Sequence, residues 1–243
     1  SRLLIGDNPR LIDEWQDAPK IWGAVRKSVD DRQVPGLYIL TGSTSQAVDT
    51  PHTGTLRIST LPMLPMSLFE SEESNGTVSL KELFNNPDSF ESCQTSLSVD
   101  DLIFAICRGG WPMALNSRDR ELSLDIARDL FKQTYSKDIS NVDGKKKNPV
   151  WAQTILRSYA RNISSLASNK TILSDVNATC DLGKTAFYEY ISALEKLIII
   201  DDVEAWSPSI RSKTAIRASK KRNFIDPSIA VAALNLSPDY FNN

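Results

Sequence analysis

Apolar residues in this chain first cluster in short runs without alternation. Leu11-Ile12 ends in the adjacent carboxylates Asp13-Glu14, and Leu37 to Leu40 ends in the small polar cluster Thr41-Gly42-Ser43. Between them, Ala18 to Asp31 places Ile21, Trp22, Val25 and Val29 at helical spacing. Pro19 stands near the start, where its missing N–H is tolerated, and Pro35-Gly36 follows the end. Strand, amphipathic helix, strand, with fully apolar strands, predicts a parallel sheet covered by helices.

The pattern changes beyond Thr50. Thr55 to Thr60 reads as a short strand, followed by the proline-punctuated stretch Leu61 to Glu70 and an exposed loop from Ser71 to Gly76. From Leu80 to Asn169 the period is mainly helical. It predicts helices over Leu80 to Phe84 and Val99 to Cys107, a corner at Gly109-Gly110-Trp111-Pro112, a long helix from Ser117 to Ile139 with Leu122, Ile126, Leu130 and Phe131 inward, and another from Pro149 to Ala167. Asn141 to Asn148 is a polar, lysine-rich linker. In the last third, helices over Ile172 to Asn177 and Thr185 to Lys196 precede a strand at Leu197 to Ile200 and its return through Val203 to Trp206. Two helices at an angle and a β-ribbon make a winged-helix arrangement. A strand at Asn223 to Ile225 and a helix opened by Asp226-Pro227 close the chain. The expected class is α/β plus α, in three regions: 1–70, 71–145 and 146–243.

The strand ends carry the first candidate chemistry. A carboxylate pair at the C-terminal end of a parallel strand is where an ATPase holds magnesium and polarises water, so Asp13 would bind the ion through water and Glu14 would act as base. Thr41 and Ser43 on the neighbouring strand end would contact the γ-phosphate or the water. The competing reading has Asp13-Glu14 serving only the first turn of the following helix. Arg57 is either an arginine reaching a neighbouring active site or a surface residue. The basic run Arg211, Lys213, Arg217, Lys220, Lys221 and Arg222, with Lys145-Lys146-Lys147, is either a phosphate-backbone contact beside the winged helix or a solvated face opposed by Asp201, Asp202 and Glu204.

One stretch imitates a phosphate loop. Ala178 to Thr185 meets the loosest form of that pattern, but what precedes it is helical in character, and Gly183-Lys184-Thr185 reads as the turn and cap of a helix.

Bulk numbers narrow the classes. With 243 residues, 41% hydrophobic and 24% charged, the composition is that of an ordinary globular protein. A net charge of −2 supplies no global field toward nucleic acid or membrane. No apolar run approaches a bilayer span and no signal-peptide pattern is visible, so no membrane contact is expected, and cysteines that build no disulfide framework point to a reducing, cytoplasmic setting. Three scattered cysteines and one histidine offer no disulfide framework or zinc pattern.

Pro9-Arg10-Leu11-Ile12-Asp13-Glu14-Trp15-Gln16-Asp17-Ala18-Pro19, Leu40-Thr41-Gly42-Ser43, Arg57 with Leu64 to Glu70, Gly109-Gly110-Trp111-Pro112, Tyr135 with Asp138-Ile139, and Phe224-Ile225-Asp226-Pro227-Ser228 occur in that order. Together they resemble the bacterial and archaeal AAA+-like P-loop ATPases that carry a C-terminal domain of unknown function. The resemblance implies a partial P-loop parallel sheet core whose strands carry Walker B and sensor 1, then a mainly helical region, a winged helix and the start of a nuclease-like domain. It implies Asp13 and Glu14 for magnesium and hydrolysis, Thr41 or Ser43 as sensor, and Arg57 as a sensor or finger arginine. ATP and Mg2+ are the implied cofactors of the full-length protein. Its implied partners are ATP, a homo-oligomer and, through the winged helix, nucleic acid. The sequence departs from the pattern in having no phosphate loop or its lysine, and Leu56 stands where a glycine often precedes the arginine. The chain therefore reads as an internal fragment, inactive alone. The alternative is a non-catalytic winged-helix nucleic-acid-binding or adaptor protein.

Overall fold

The computed structural model describes residues 4–42, 56–89, 93–206 and 218–241. Contacts divide the chain into two compact units, one of Ser1–Met63 with Ser140–Lys146, the other of Leu64–Ile139 with Lys147–Asn243. Residues 64–70 fall in the second unit with the helices, and 140–146 fall in the first.

The first unit is built on a strand–helix–strand. β1 (Arg10–Ile12) and β2 (Tyr38–Leu40) pair in parallel with Leu11 opposite Ile39, and α1 (Lys20–Arg32) connects them. Alternation decides what each strand residue faces. Tyr38 bonds Ser28 of α1 through its hydroxyl at 2.8 Å, and α1 buries Ile21 and Val25, so Leu11 and Ile39 lie on the opposite face and are 62% and 52% exposed. The helix ends where Gln33 turns left-handed and its N–H reaches the Val29 carbonyl. Thr55 is not among the described residues. Leu56 to Thr60 form no strand, because Leu56 adopts φ 67°, which strand pairing does not accommodate.

The second unit is helical. α2 (Leu80–Asn85) buries no side chain. α3 (Val99–Arg108), α4 (Pro112–Leu115) and α5 (Arg120–Gln133) follow, and α5 runs into a π-helical turn at Thr134–Asp138 and the short α6 (Ile139–Asn141), whose last two residues count with the first unit. Then come α7 (Pro149–Arg161), α8 (Asn169–Asn177), α9 (Lys184–Lys196), α10 (Pro227–Ala233) and α11 (Pro238–Phe241). Local signals start these helices: Ser98, Asp119, Asn148, Ser168 and Asp226 each accept a first-turn N–H. α10 packs on α3, α5 and α7, and α7 packs on α8. Tyr159, Phe187, Ile155, Leu156, Ile172 and Leu194 are fully buried.

Two expectations are corrected here. The inward face of α5 is Ser123, Leu124, Ala127 and Phe131, while Leu122 is 57% exposed. Small Ser123 and Ala127 permit close helix approach, which a hydrophobicity pattern does not register. The other correction concerns the ribbon. Ile200 pairs with Phe224 and Val203 with Lys221, both antiparallel, so residues 199–203 form one extended arm whose return is 221–225. Asp201-Asp202 is not a turn, because the Asp202 side chain is buried against Arg222.

Among the described residues, no helix is long and apolar enough to cross a membrane.

Candidate functional site

Three of the expected site residues meet at the C-terminal ends of β1 and β2. The ladder continues past the strands: Thr41 N–H donates to the Ile12 carbonyl at 3.0 Å, and Trp15 N–H to the Thr41 carbonyl at 3.0 Å. This brings the Thr41 hydroxyl onto Asp13 Oδ1. Glu14 turns left-handed (φ 46°, ψ 52°), an uncommon conformation for a residue with a Cβ. Its Oε2 accepts from the Gln16 side-chain amide.

Gln16, which in the sequence stands out only as part of the motif from Pro9 to Pro19, is the buried member of this group at 8% exposure. Its Oε1 is buried without a hydrogen-bond partner. An orphan of this kind costs about 1–3 kcal/mol. Gly42 makes room for it, since a Cβ there would stand 2.2 Å from that oxygen. The Trp15 ring lies 4.9 Å from Trp22 of α1 and closes the side of the turn.

Ser43 lies outside the described residues. Arg57 does not join the carboxylates: its Nε bonds Asp30 at 2.7 Å, near the end of α1 remote from Asp13 and Glu14. Among the described residues, no group of three or more His, Cys, Asp or Glu side chains could cage a metal. Asp13 and Glu14 supply two carboxylates, a donor set suited to magnesium, which keeps waters and phosphate oxygens in its shell.

The basic run resolves differently. Lys213 and Arg217 lie outside the described residues. Lys220 is exposed and paired with Glu204 at 2.6 Å, a hydrogen bond that raises its pKa. Lys221 is exposed, with its backbone in the ribbon. Arg222 is 8% exposed and its donors are engaged: Nη1 with Asp202 Oδ2 at 2.5 Å and the Tyr159 hydroxyl at 2.9 Å, Nη2 with Asn169 at 2.8 Å, and Nε with the Ala167 carbonyl at 2.7 Å. Tyr159 donates to the same Asp202 oxygen at 2.6 Å. Burial and then the Asp202 carboxylate push the Tyr159 pKa well up, so the phenol stays protonated. Arg222 is an interior pin for the ribbon, and its guanidinium is not presented to a phosphate backbone. Lys147 of the lysine triplet is likewise buried.

The imitation phosphate loop follows α8, with no strand before it. Asn177 closes the turn by bonding both the N–H and the carbonyl of Leu182.

A second polar cluster joins three motifs far apart in sequence. Asp226 caps α10 through Oδ1 on the Ser228 N–H, and its Oδ2 accepts the Gly110 N–H at 2.8 Å. The Trp111 indole N–H donates to the Ser228 hydroxyl at 2.9 Å. Met66 N–H donates to the Gly110 carbonyl at 2.7 Å, and Arg108 grips Glu73 through both terminal guanidinium nitrogens, at 2.9 and 2.7 Å. Both glycines are required: a Cβ on Gly109 (φ 77°) would meet Ser228 at 2.4 Å, and one on Gly110 would meet the Met66 carbonyl oxygen at 2.0 Å. The Gly-Gly-Trp-Pro and Asp-Pro-Ser motifs were visible in the sequence, but not their contact. The neighbouring recess between Cys107, Leu124, Ala127 and Val231 has room for about one water. This cluster is a structural junction.

A family model described as a domain of unknown function (DUF8612) matches residues 99–240, which takes in Arg108 to Trp111, Asp226 and Ser228 of the junction and the Arg222 pin but not Met66, Glu73, Asp13, Glu14 or Thr41. No curated protein and no solved structure matches the chain. With more than half of its length matched, the chain belongs to the DUF8612 family.

Proposed function

We propose that this chain carries the water- and magnesium-handling edge of an AAA+-like ATPase core, followed by a helical region and a winged helix. The observation that supports it is the parallel, in-register pairing of β1 and β2, which sets Asp13 and Thr41 in contact and Glu14 beside them at the strand C-terminal ends. In this reading Asp13 would hold magnesium through water, Thr41 would sense the terminal phosphate, and Glu14 would accept a proton from the attacking water. The water oxygen bonds the terminal phosphorus while the bond to the bridging oxygen breaks, its electron pair leaving on ADP. Magnesium would supply charge neutralisation on the phosphates.

The 243 residues contain no usable phosphate loop, whose backbone amides and lysine provide most nucleotide binding. Calorimetry on the isolated chain should therefore detect no ATP binding. Micromolar binding would overturn the fragment reading. A GxxxxGK[ST] loop roughly one βαβ unit upstream in the reading frame would support the ATPase assignment, and its absence would remove it.

A second reading, a nucleic-acid-binding or adaptor winged helix, draws on the order α8, α9 and antiparallel ribbon. Its test is salt-dependent DNA binding reduced by Lys220→Ala and Lys221→Ala, the exposed members of the run 211–222 among the described residues.

A further inference from the structure

Two local penalties coincide within three residues of the first unit. Glu14 holds a left-handed backbone, and Gln16 buries an amide carbonyl that finds no partner. Packing alone does not explain the second, because an apolar side chain at position 16 would fill the same space without orphaning an oxygen. The carboxamide does one thing an apolar group could not: its Nε2 donates to Glu14 Oε2. Gly42, between the sensor candidates Thr41 and Ser43, leaves the space in which that carboxamide stands. Asp13 is held in a parallel way, by the Thr41 hydroxyl on Oδ1. Each carboxylate thus has one oxygen anchored, and the other carries no hydrogen bond to a described residue.

We propose that Gln16 is a positioning residue that orients the Glu14 carboxylate so that its free oxygen faces the attacking water, an inference that rests on the ATPase reading above. A base whose carboxylate rotates freely would lose the geometry on which proton transfer depends. Gln16 itself touches neither the water nor the phosphate. The unpaired Oε1 is the consequence of using the amide end of the side chain for Glu14.

Two measurements test this. In the 243-residue chain, the Gln16 side-chain amide followed by 15N NMR should exchange slowly relative to an exposed glutamine, and should lose that protection in Glu14→Ala. Fast exchange in the unmutated chain overturns the proposal. In the longest polypeptide that the reading frame encodes, Gln16→Ala should lower kcat for magnesium ATP by about tenfold to a hundredfold, in the range seen when groups that orient metal-site ligands are removed. KM and binding of a fluorescent ATP analogue should be unchanged, Tm should not fall, because the variant also removes the unpartnered oxygen, and Gln16→Glu, which has no amide donor, should not rescue. Wild-type kcat in Gln16→Ala overturns the positioning role, as does a fall in kcat accompanied by equal loss of nucleotide affinity or stability. Absence of hydrolysis by the unmutated polypeptide is a different result: it removes the ATPase reading, and the catalytic role of Gln16 with it.

Discussion

The two units of this chain use polar residues in opposite ways. In the helical unit, Arg222, Asp202, Tyr159, Asp226 and Ser228 are buried and bonded to one another or to backbone, under a core in which Tyr159 and Phe187 are fully enclosed. In the strand–helix–strand unit, Asp13 and Glu14 each have one anchored oxygen, and Leu11 and Ile39 leave one sheet face bare. Parallel sheets ordinarily have both faces covered, and two strands alone are marginal in water. Buried, satisfied polarity specifies packing, whereas partly satisfied polarity at an open strand end is what chemistry requires. The family match covers helices of the first kind, while the ATPase proposal rests on residues of the second kind.

The sharpest way to break this contrast is to remove one partner of the Arg222 pin. Asp202→Ala leaves a guanidinium buried without its counter-charge. It should destabilise the helical unit by roughly 3–5 kcal/mol in urea denaturation, the usual consequence of orphaning a buried ion. Lys221→Ala, an exposed change one residue from Arg222, should stay within about 0.5 kcal/mol. If Asp202→Ala also proved neutral, Arg222 would be a solvated cation and the distinction between the units would fail.

Gly110→Ala probes the junction without changing charge. The added methyl group would stand 2.0 Å from the Met66 carbonyl oxygen and 2.8 Å from its nitrogen, both backbone atoms that cannot rotate away. A loss of about 2–3 kcal/mol is expected, at the upper end for overpacking. Gly144→Ala is not an equivalent control despite its open surroundings, because its φ of 67° adds backbone strain. Gly183→Ala, at φ −65° and with nothing within 4 Å, is the better one: it meets no clash and should lose only the difference in capping preference at the start of α9, about 0.5–1 kcal/mol.

These sites also show what the sequence could reveal. β1, α1 and β2 were readable because apolar runs and a 3.6-residue period are local, and so were helix starts at Asp226 and Ser98, whose caps bond within three residues. The ribbon was not readable in the same way. Asp202 looks like a turn residue until Arg222, twenty positions on, draws it inside. The α5 face was misread because Ser123 and Ala127 are buried for their small size rather than their hydrophobicity. At the candidate site, the carboxylates were visible as a pair at a strand end. Gln16 does not stand out in the sequence, because the space its carboxamide fills is left by Gly42 arriving from the next strand.

The Glu73–Arg108 pair tests whether the junction's charges behave as interior groups. Arg108 side-chain exposure is 10% and that of Glu73 is 23%. The hydrogen bonds from Arg108 hold the Glu73 carboxyl below its ordinary 4.5, against the opposing effect of burial. A carboxyl lowered in the folded state contributes stability above its unfolded pKa, and that contribution is lost as pH falls through the folded value. Glu73→Gln should therefore cost about 1–2 kcal/mol at pH 7. The gap between variant and wild type should close on acidification below about 4.5. A gap independent of pH would mean that shape, and not charge, is what Glu73 contributes.

The smallest expected effect lies in the strand–helix–strand unit and has the opposite sign. Leu56 adopts φ 67° and is 97% exposed, so its side chain gains nothing from packing while its Cβ crowds the backbone. This is the position at which the ATPase resemblance calls for glycine, the residue that takes a left-handed conformation without steric cost. Relief of that strain exceeds the extra chain entropy glycine brings to the unfolded state, so Leu56→Gly should stabilise the unit by roughly 0.5–1 kcal/mol in thermal or urea unfolding. Leu56→Ala keeps the Cβ and should give almost none of that gain. If alanine and glycine stabilised equally, exposed apolar surface would be the cause and the backbone would not be strained. If only glycine did, the turn that delivers Arg57 to Asp30 would be built for a residue this chain has exchanged.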